Sequence, residues 1–190
     1  MGRSKATTKD AIANAAYQRA CELGLAALSV REVARDCGVS VGTLYRYYPD
    51  KADLVAAVIE RFWKRVAFPE EGATCLSYVR GERLVGFCRR VERTLAQALA
   101  EFRTNWLGEI GALDARSRQR GRSVEHAYFE HVCARLEQAA RDDDEIDRAA
   151  LERIGAAELA RFIWENMLLN LRGATSSETL FTVLEQALYR

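Results

Sequence analysis

The sequence has few of the residues that interrupt helices, and it has no long apolar stretch. Only 2 of its 190 residues are proline, while 49% are hydrophobic and 29% are charged, which predicts a soluble, all-α protein. No run of about 18 apolar residues is present, so we expect no membrane-spanning helix. The N-terminal residues MGRSKATTKD lack the apolar core of a signal peptide. A cytoplasmic location without a membrane partner is therefore predicted.

The patterns that mark enzymes and metal sites are also missing. No GxSxG, P-loop, HExxH or GxGxxG pattern occurs in the structural context that its chemistry requires. The only two histidines, His126 and His131, face different sides of a helix and make a poor metal pair. The acidic run 142–147 lacks the spacing of an EF-hand loop, and we interpret it as a solvated loop that places negative charge at a helix N-terminus. We predict no enzyme activity, no metal site and no cofactor.

The cysteines are odd in number and lack CxxC spacing. This favours reduced thiols that pack mostly as small core residues. Oxidation of one of them, as a redox sensor, is the alternative. The five are Cys21, Cys37, Cys75, Cys88 and Cys133.

Residues 28–54, LSVREVARDCGVSVGTLYRYYPDKADL, carry the clearest local pattern in the chain. Ser29 and Glu32 fit a capping box at the start of one short helix, and Gly38 suits the left-handed position that ends it. Ser40 is placed to cap a second helix, which stops before the following proline. The pattern predicts two short helices joined by a tight turn, and then the start of a third. This arrangement is typical of the helix-turn-helix motif, whose second helix enters the DNA major groove.

The second of these helices has an inward and an outward side. Leu44 and Tyr48 are one turn apart and are predicted to face the core. Hydroxyl and guanidinium groups on the other side are of the kind that hydrogen-bond bases and phosphates. The alternative is an ordinary helical corner with a solvated face. The outward residues are Val41, Gly42, Thr43, Arg46 and Tyr47.

The same stretch resembles a known protein family. The chain is similar, over about residues 8–58, to the DNA-binding domain of the TetR family of bacterial transcriptional regulators. The similarity lies in two overlapping stretches, LSVREVARDCGVS and GVSVGTLYRYYPDKADL. Later parts of the chain show no such likeness. The resemblance rests on the turn Gly38-Val39-Ser40, on Leu44 and Tyr45, and on Tyr48 and Lys51.

The resemblance implies roles for individual residues in binding a double-stranded DNA operator. Tyr45 and Lys51 stand where the family holds phosphates. Thr43, Arg46 and Tyr47 stand where it reaches bases or the adjacent backbone. The full predicted DNA-binding set is Arg31, Ser40, Val41, Gly42, Thr43, Tyr45, Arg46, Tyr47 and Lys51.

The distribution of charge agrees with DNA binding by the N-terminal region. The chain carries +1 overall, but residues 1–51 hold eight basic and five acidic groups, so this region carries +3 and the remainder −2. The basic arm 1–7, with Arg3 and Lys5, is predicted to follow phosphates or enter the minor groove, or else is an inert tail.

We predict a three-helix DNA-binding domain over 1–50 and a larger helical ligand-binding and dimerisation domain over 51–190, with about nine helices in all.

Helical periodicity sets the expected elements. The first helix is predicted over 8–23, and a connecting helix over 50–67 ends at the breaker cluster 68–72. A final helix opens with Thr175 and Glu178 as a capping box. The helices between are predicted over 77–100, 102–113, 117–140 and 146–171, the last of these being the longest.

The last two helices have more apolar surface than one small core needs. Packed against their copies they would form a four-helix interface. Asn166 and Asn170 are predicted to set the register of the helices across that interface. The alternative is that they are polar groups of a ligand pocket. We predict a homodimer through the last two helices. Its two reading helices, which are the second helices of the two helix-turn-helix motifs, are expected to lie about one DNA turn (roughly 34 Å) or somewhat more apart on an inverted repeat.

Aromatic residues are concentrated in the middle helices. They are predicted to line an apolar pocket for an unidentified small-molecule effector, although aromatics at helical spacing also fit a plain hydrophobic core. The set is Phe87, Phe102, Trp106, Tyr128, Phe129, Phe162 and Trp164.

The pattern as a whole predicts a sequence-specific DNA-binding transcriptional regulator. The resemblance implies a homodimeric repressor that a small molecule releases from an inverted-repeat operator, although activation is also consistent with the sequence. Two alternatives stay open. One is a DNA-binding regulator without a small ligand, controlled by a partner protein, redox state or abundance, and the other is a helical enzyme.

Overall fold

The structure is a computed structural model that describes residues 7–67 and 75–189. These residues form ten α-helices and one short 3-10 helix, with no strand among them, which confirms the predicted all-α class. The arm residues 1–6 and the breaker cluster 68–72 lie outside the described residues. Within the described ranges no helix has the length and apolarity that crossing a membrane requires. The helices are α1 Lys9–Leu23, α2 Val30–Asp36, α3 Val41–Tyr47, α4 Lys51–Ala67, α5 Leu84–Leu99, α6 Trp106–Glu109, the 3-10 helix Ile110–Ala112, α7 Ala115–Asp142, α8 Arg148–Ile154, α9 Ala156–Arg172 and α10 Glu178–Leu188.

The chain divides into two compact units. The first contains the chain up to Arg65 together with Leu99–His126, and thus α1–α3, most of α4, α6, the 3-10 helix and the first part of α7. The second contains Val66–Ala98 and the chain from Ala127 onward. The functional division at residue 50 stays a prediction, and the first compact unit extends well beyond that residue.

An aromatic cluster fills part of the first unit. Phe62 of α4 is fully buried, and its ring centroid lies 4.9 Å from that of Trp106 and 6.0 Å from that of Phe102, edge-to-face in both cases. Phe102 also contacts Tyr17 of α1, with centroids 5.3 Å apart. Each such side chain stabilises the fold by about 1.5–3 kcal/mol on full burial, and edge-to-face geometry adds to that. The cluster joins α1 and α4 to the segment before α6.

The C-terminal end of α1 is also held by that segment and by α6. The backbone N–H of Arg103 donates to the carbonyl of Cys21 across 2.7 Å, and the N–H of Leu25 donates to a carboxylate oxygen of Glu109 across 3.2 Å. Gly24 between them has φ +87°, and a Cβ there would lie only 2.8 Å from the Thr104 hydroxyl oxygen. Glycine is therefore required both for the backbone conformation and for the close approach.

The second unit contains a buried carboxylate that the sequence did not reveal. Asp143 is only 3% exposed, and one of its oxygens accepts hydrogen bonds from the N–H of Leu84 (2.7 Å) and the hydroxyl of Tyr189 (2.6 Å). The prediction that all of 142–147 is a solvated loop is therefore wrong for this residue. Asp147 does act as expected, because its side chain accepts from the N–H of Ala149 and caps α8. No group of metal-ligating residues occurs in the part of the chain that the structure describes.

Three helix predictions are corrected. The helix predicted over 102–113 is only the four-residue α6 and the 3-10 helix that follows it. The helix predicted over 77–100 begins only at Leu84, because Gly81 has φ +84° and the hydroxyl of Tyr78 bonds the carbonyl of Glu82 in a preceding turn. The helix predicted over 146–171 is broken at Gly155, whose φ of +88° separates α8 from α9. The longest described helix is therefore α7, with 28 residues.

Both predicted capping boxes are wrong in detail. Ser29 precedes α2 but makes no side-chain hydrogen bond to it. At the start of α10 the cap residue is Ser177, whereas the hydroxyl of Thr175 donates back to the carbonyl of Asn170. Both helices start at about the expected place, since burial of their apolar sides decides that.

The cysteine prediction is confirmed in the structure. All five thiols are free, and Cys75, Cys88 and Cys133 are buried. Burial raises the pKa of the Cys75 thiol to about 11 and that of Cys133 to about 11, which keeps them protonated at neutral pH. A buried thiol of this kind is a poor nucleophile.

Candidate nucleic-acid interface

The second helix is fixed to the first by one arginine. Arg19 of α1 is largely buried, and its guanidinium lies 2.8 Å from a carboxylate oxygen of Glu32 and 2.8 Å from one of Asp36. A second hydrogen bond to Asp36 makes that pair bidentate, the geometry that guanidinium and carboxylate favour. The hydrogen bonds and charge of Arg19 hold the pKa of the Asp36 carboxyl below its ordinary value of 3.8.

The turn between α2 and α3 has the predicted left-handed glycine. Gly38 has φ +66°, its N–H donates to the carbonyl of Arg35, and the N–H of Val39 donates to that of Ala34, both across 3.0 Å. These two bonds define a Schellman motif. No atom lies within 4 Å of a Cβ built at Gly38, so the backbone angle alone selects glycine there.

The start of α3 is capped as predicted by Ser40. Its hydroxyl oxygen accepts from the N–H of Thr43 across 3.0 Å and lies 2.9 Å from the Thr43 hydroxyl oxygen. The cap satisfies one of the free N–H groups at the helix start. Thr43, predicted to reach bases, is half-buried, and its hydroxyl is within hydrogen-bond distance of the capping hydroxyl of Ser40.

The inward side of α3 is the predicted one. Leu44 is fully buried, and Tyr48 is 4% exposed. The hydroxyl of Tyr48 donates to the carbonyl of Lys9 across 3.2 Å, and the Lys9 ammonium lies 5.5 Å from the centre of the Tyr48 ring. Burial raises the pKa of Tyr48 to about 12. These contacts fix the rotation of α3 against α1.

The outward side of α3 carries the side chains predicted to contact DNA. Gly42 and Arg46 are exposed, Tyr45 is 46% exposed and Tyr47 is 37% exposed, while Val41 is half-buried. The helix therefore presents a glycine, a guanidinium and two phenol groups to solvent. Such a surface can donate hydrogen bonds to base edges and phosphates, and the glycine permits close approach.

Two further contacts place the ends of this surface. The hydroxyl of Tyr47 donates to the carbonyl of Thr7 across 2.9 Å, so the last residue of the basic arm lies beside α3. The ammonium of Lys51, half-buried at the start of α4, donates to the carbonyl of Ala26 across 3.1 Å. Arg31 is exposed on the first turn of α2. All nine predicted DNA-binding residues lie in the first compact unit.

Sequence reasoning missed two ion pairs at the start of α4. Arg116 and Arg120 of α7 lie 2.8 Å and 3.3 Å from the carboxylates of Asp50 and Asp53. Asp50 also accepts from the N–H of Asp53 across 2.8 Å, which makes it the cap of α4. No local pattern in one sequence connects them to arginines so far along the chain.

The aromatic residues predicted to line a pocket fall in both compact units. Phe102 and Trp106 belong to the first and pack on Phe62, whereas the other five belong to the second. Phe87 and Trp164 are buried, Tyr128 and Phe129 are half-buried, and Phe162 is 50% exposed. Their role in ligand binding stays a prediction.

Comparisons with known proteins agree with these features. Residues 12–58 match the model of the family described as bacterial regulatory proteins, tetR family. A crystal structure from Rhodococcus sp., described as a TetR-family transcriptional regulator, is 18% identical, with 95% of this chain and 97% of that chain covered and a TM-score of 0.57. A TetR-family regulator structure from Vibrio parahaemolyticus is 19% identical, with 95% and 98% covered and a TM-score of 0.50. No curated protein sequence matches the chain.

Proposed function

We propose that this chain, whose N-terminal helix-turn-helix domain belongs to the TetR family of bacterial regulatory proteins, is a homodimeric repressor. It binds an inverted-repeat operator and is released by a small molecule. The observation that carries the proposal is the outward side of α3, where Gly42, Tyr45 and Arg46 are exposed while Leu44 anchors the helix in the core. Such a side has the dimensions and chemistry of a major-groove reading surface.

Each part of this surface has a separate task in the proposed complex. Thr43, Arg46 and Tyr47 contact base edges or the adjacent backbone, and Val41 meets a thymine methyl. Tyr45 and Lys51 hold phosphates, which supply affinity without sequence preference. The basic arm 1–7, whose last residue Thr7 lies beside Tyr47, is proposed to enter the flanking minor groove.

Exposed apolar side chains on the last two helices support the dimer. Phe162 is 50% exposed and Leu169 is 66% exposed, and they lie two turns apart on the same side of α9. Val183 of α10 is 53% exposed. Large apolar side chains exposed on consecutive helices are typical of surfaces that a partner covers. Two copies of the α9–α10 pair would bury them in a four-helix interface.

Release by a small molecule requires that its binding be coupled to the position of the reading helices. The effector is proposed to bind among the aromatic residues of the middle helices and to favour a conformation whose reading helices no longer match the operator spacing. Coupling of this kind typically amounts to about 1–3 kcal/mol. Phe102 and Trp106 are suited to transmit it, because they contact Phe62 of α4 within the same compact unit.

The experiment that tests the proposal is a selection of genomic fragments by the purified full-length protein at moderate salt, read by sequencing. An enriched inverted repeat is expected, with its half-sites about one helical turn or somewhat more apart. The absence of any enriched repeat from a folded, dimeric protein would contradict operator binding. Effectors are then sought as metabolite pools that raise the unfolding temperature and release the enriched fragment. A ligand that binds only the folded state must stabilise it.

A further inference from the structure

Two arginines of α7 face two carboxylates at the N-terminal end of α4. The Nη2 atom of Arg116 lies 2.8 Å from Oδ2 of Asp50, and that of Arg120 lies 3.3 Å from Oδ1 of Asp53. The arginines are one turn apart on one side of α7, and the aspartates are separated by one turn at the start of α4. The two pairs therefore form a ladder of matched spacing between the two helices. All four residues belong to the first compact unit.

The two aspartates of the ladder flank Lys51, which resembles the family's phosphate-holding lysine. Lys51 lies between Asp50 and Asp53 in the sequence. The two ion pairs place two guanidinium groups opposite the two carboxylates that are nearest to Lys51 in the sequence.

Carboxylates beside a phosphate-binding lysine oppose the approach of DNA. Carboxylates and phosphates carry charges of the same sign, and like charges repel one another most within the Debye length, which is about 8 Å at physiological salt. Asp50 is nevertheless needed, because its Oδ1 accepts from the N–H of Asp53 and caps α4. A guanidinium paired with each carboxylate keeps the cap and cancels the repulsion. Both arginines remain more than half exposed, and both aspartates are 23% exposed.

We propose that Arg116 and Arg120 are positioning residues for DNA binding, which act through Asp50 and Asp53 by neutralising both carboxylates beside Lys51. The inference rests on the proposed function, since it takes Lys51 as a phosphate contact. Under this proposal the first two turns of α7 contribute to the affinity of the protein for DNA. Their own sequence, ARSRQRGR, does not distinguish this role from that of a solvated arginine-rich surface.

The test uses the opposite signs that neutralisation predicts for the two sides of the ladder. Arg116→Ala combined with Arg120→Ala leaves two carboxylates unpaired and is expected to weaken binding to a labelled mixed-sequence DNA duplex roughly fivefold to tenfold at low salt. Asp50→Asn combined with Asp53→Asn removes the negative charges, retains an amide oxygen as the cap, and is expected to tighten binding. A ladder with a purely structural role predicts weakening from both changes.

Two further variants separate the indirect effect from direct phosphate contact. The quadruple variant, with both pairs replaced as above, is expected to bind about as tightly as the wild type, because neither sign is left in excess. The charge-matched control is Arg118→Ala with Arg122→Ala, on the other side of α7, where Arg118 donates to the carbonyl of Gly111. It is expected to lose much less affinity than the Arg116 and Arg120 variant.

Several results would overturn the inference. They are weakening by both double variants, no effect of the arginine changes, a quadruple variant as weak as the arginine variant, or a wild-type protein that does not bind the duplex. If the arginine variant does not fold, Arg116→Lys with Arg120→Lys is expected to bind normally, and the sign of the aspartate variant still decides. Failure of the proposed function is distinguishable. It is seen as the lack of an enriched repeat in the genomic selection, while the mixed-sequence duplex measures phosphate contacts alone.

Discussion

The ammonium of Lys51 donates a hydrogen bond to the backbone carbonyl of Ala26 across 3.1 Å. The start of α4 is thereby tied to the loop between α1 and α2. The lysine predicted to hold a phosphate is thus already ordered by the protein before DNA arrives. A preorganised side chain loses less conformational entropy on binding than a free one.

Lys51→Ala is expected to weaken binding to all DNA sequences alike. The slope of log affinity against log salt should fall in magnitude by about one for each subunit, because one phosphate contact and its released counterion are lost. Lys64→Ala is the control, since Lys64 lies in the last turn of the same helix and pairs with Glu60. Identical salt slopes for both variants and the wild type would remove Lys51 from the phosphate contacts.

Thr43→Ala and Tyr47→Ala are expected to change base preference. Thr43→Ala keeps the cap of α3, because the backbone N–H of residue 43 still donates to Ser40, so any change in recognition reflects the lost side chain. The preferred sequence is measured by selection from a random duplex library. Thr182→Ala on α10 is the control and should leave the selected sequence unchanged. The same motif from all three variants would contradict the assignment of Thr43 and Tyr47 as base contacts.

Ser40→Ala and Ser29→Ala form a matched pair for stability. Ser40 makes a capping hydrogen bond and Ser29 makes none, so Ser40→Ala is expected to lower the free energy of unfolding by about 1 kcal/mol and Ser29→Ala by much less. The comparison is made by urea unfolding of the two variants. Equal losses would show that the hydroxyl of Ser29 caps α2 in solution.

Asp36→Asn is expected to destabilise the protein at neutral pH but not in strong acid. Hydrogen bonds from Arg19 hold the pKa of Asp36 below 3.8 in the folded state. The ionised carboxylate therefore stabilises the fold fully at any pH above the pKa that Asp36 has in the unfolded chain. This contribution is lost as the pH falls from that pKa through the lower pKa of the folded protein. The free energy of unfolding of both proteins is measured across this range. In an Arg19→Met background the pH dependence of the difference should largely disappear; its persistence there would assign the shift to another group.

Leu169→Glu combined with Val183→Glu is expected to yield monomers. Both side chains are more than half exposed in the single chain, and a charge at either position would be buried in the proposed interface. Val79→Glu is the control, because Val79 is 59% exposed but belongs to neither α9 nor α10. Sedimentation velocity measures the outcome. A dimeric double variant would place the interface elsewhere.

The features predicted correctly from sequence are those whose causes lie within a few residues of one another. Gly38 and Ser40 are examples, since the left-handed angle and the cap depend only on adjacent backbone groups. Leu44 and Tyr48 were placed correctly because helical spacing alone decides which side they occupy. The all-α class followed from apolar spacing and scarce proline in the same way.

The features that were missed depend on distant groups or on a single backbone angle. Asp143 is buried because Leu84 and Tyr189, remote in sequence, donate to it, and no local pattern marks such a partner. Gly155 stands within an apolar pattern that continues on both sides, so only its φ of +88° reveals the break. The pairing of Asp50 with Arg116 was hidden for the same reason as that of Asp143.

The first compact unit is built from two separate pieces of chain, and this limits how the proposed DNA-binding part can be transplanted. A fragment ending at Arg65 would lose Phe102 and Trp106 and so expose Phe62, and it would leave Leu25 without its partner Glu109. A chimeric regulator that borrows this domain therefore has to carry residues 99–126 as well. For the same reason, the backbone amides of both pieces should exchange with solvent in one cooperative opening rather than in two.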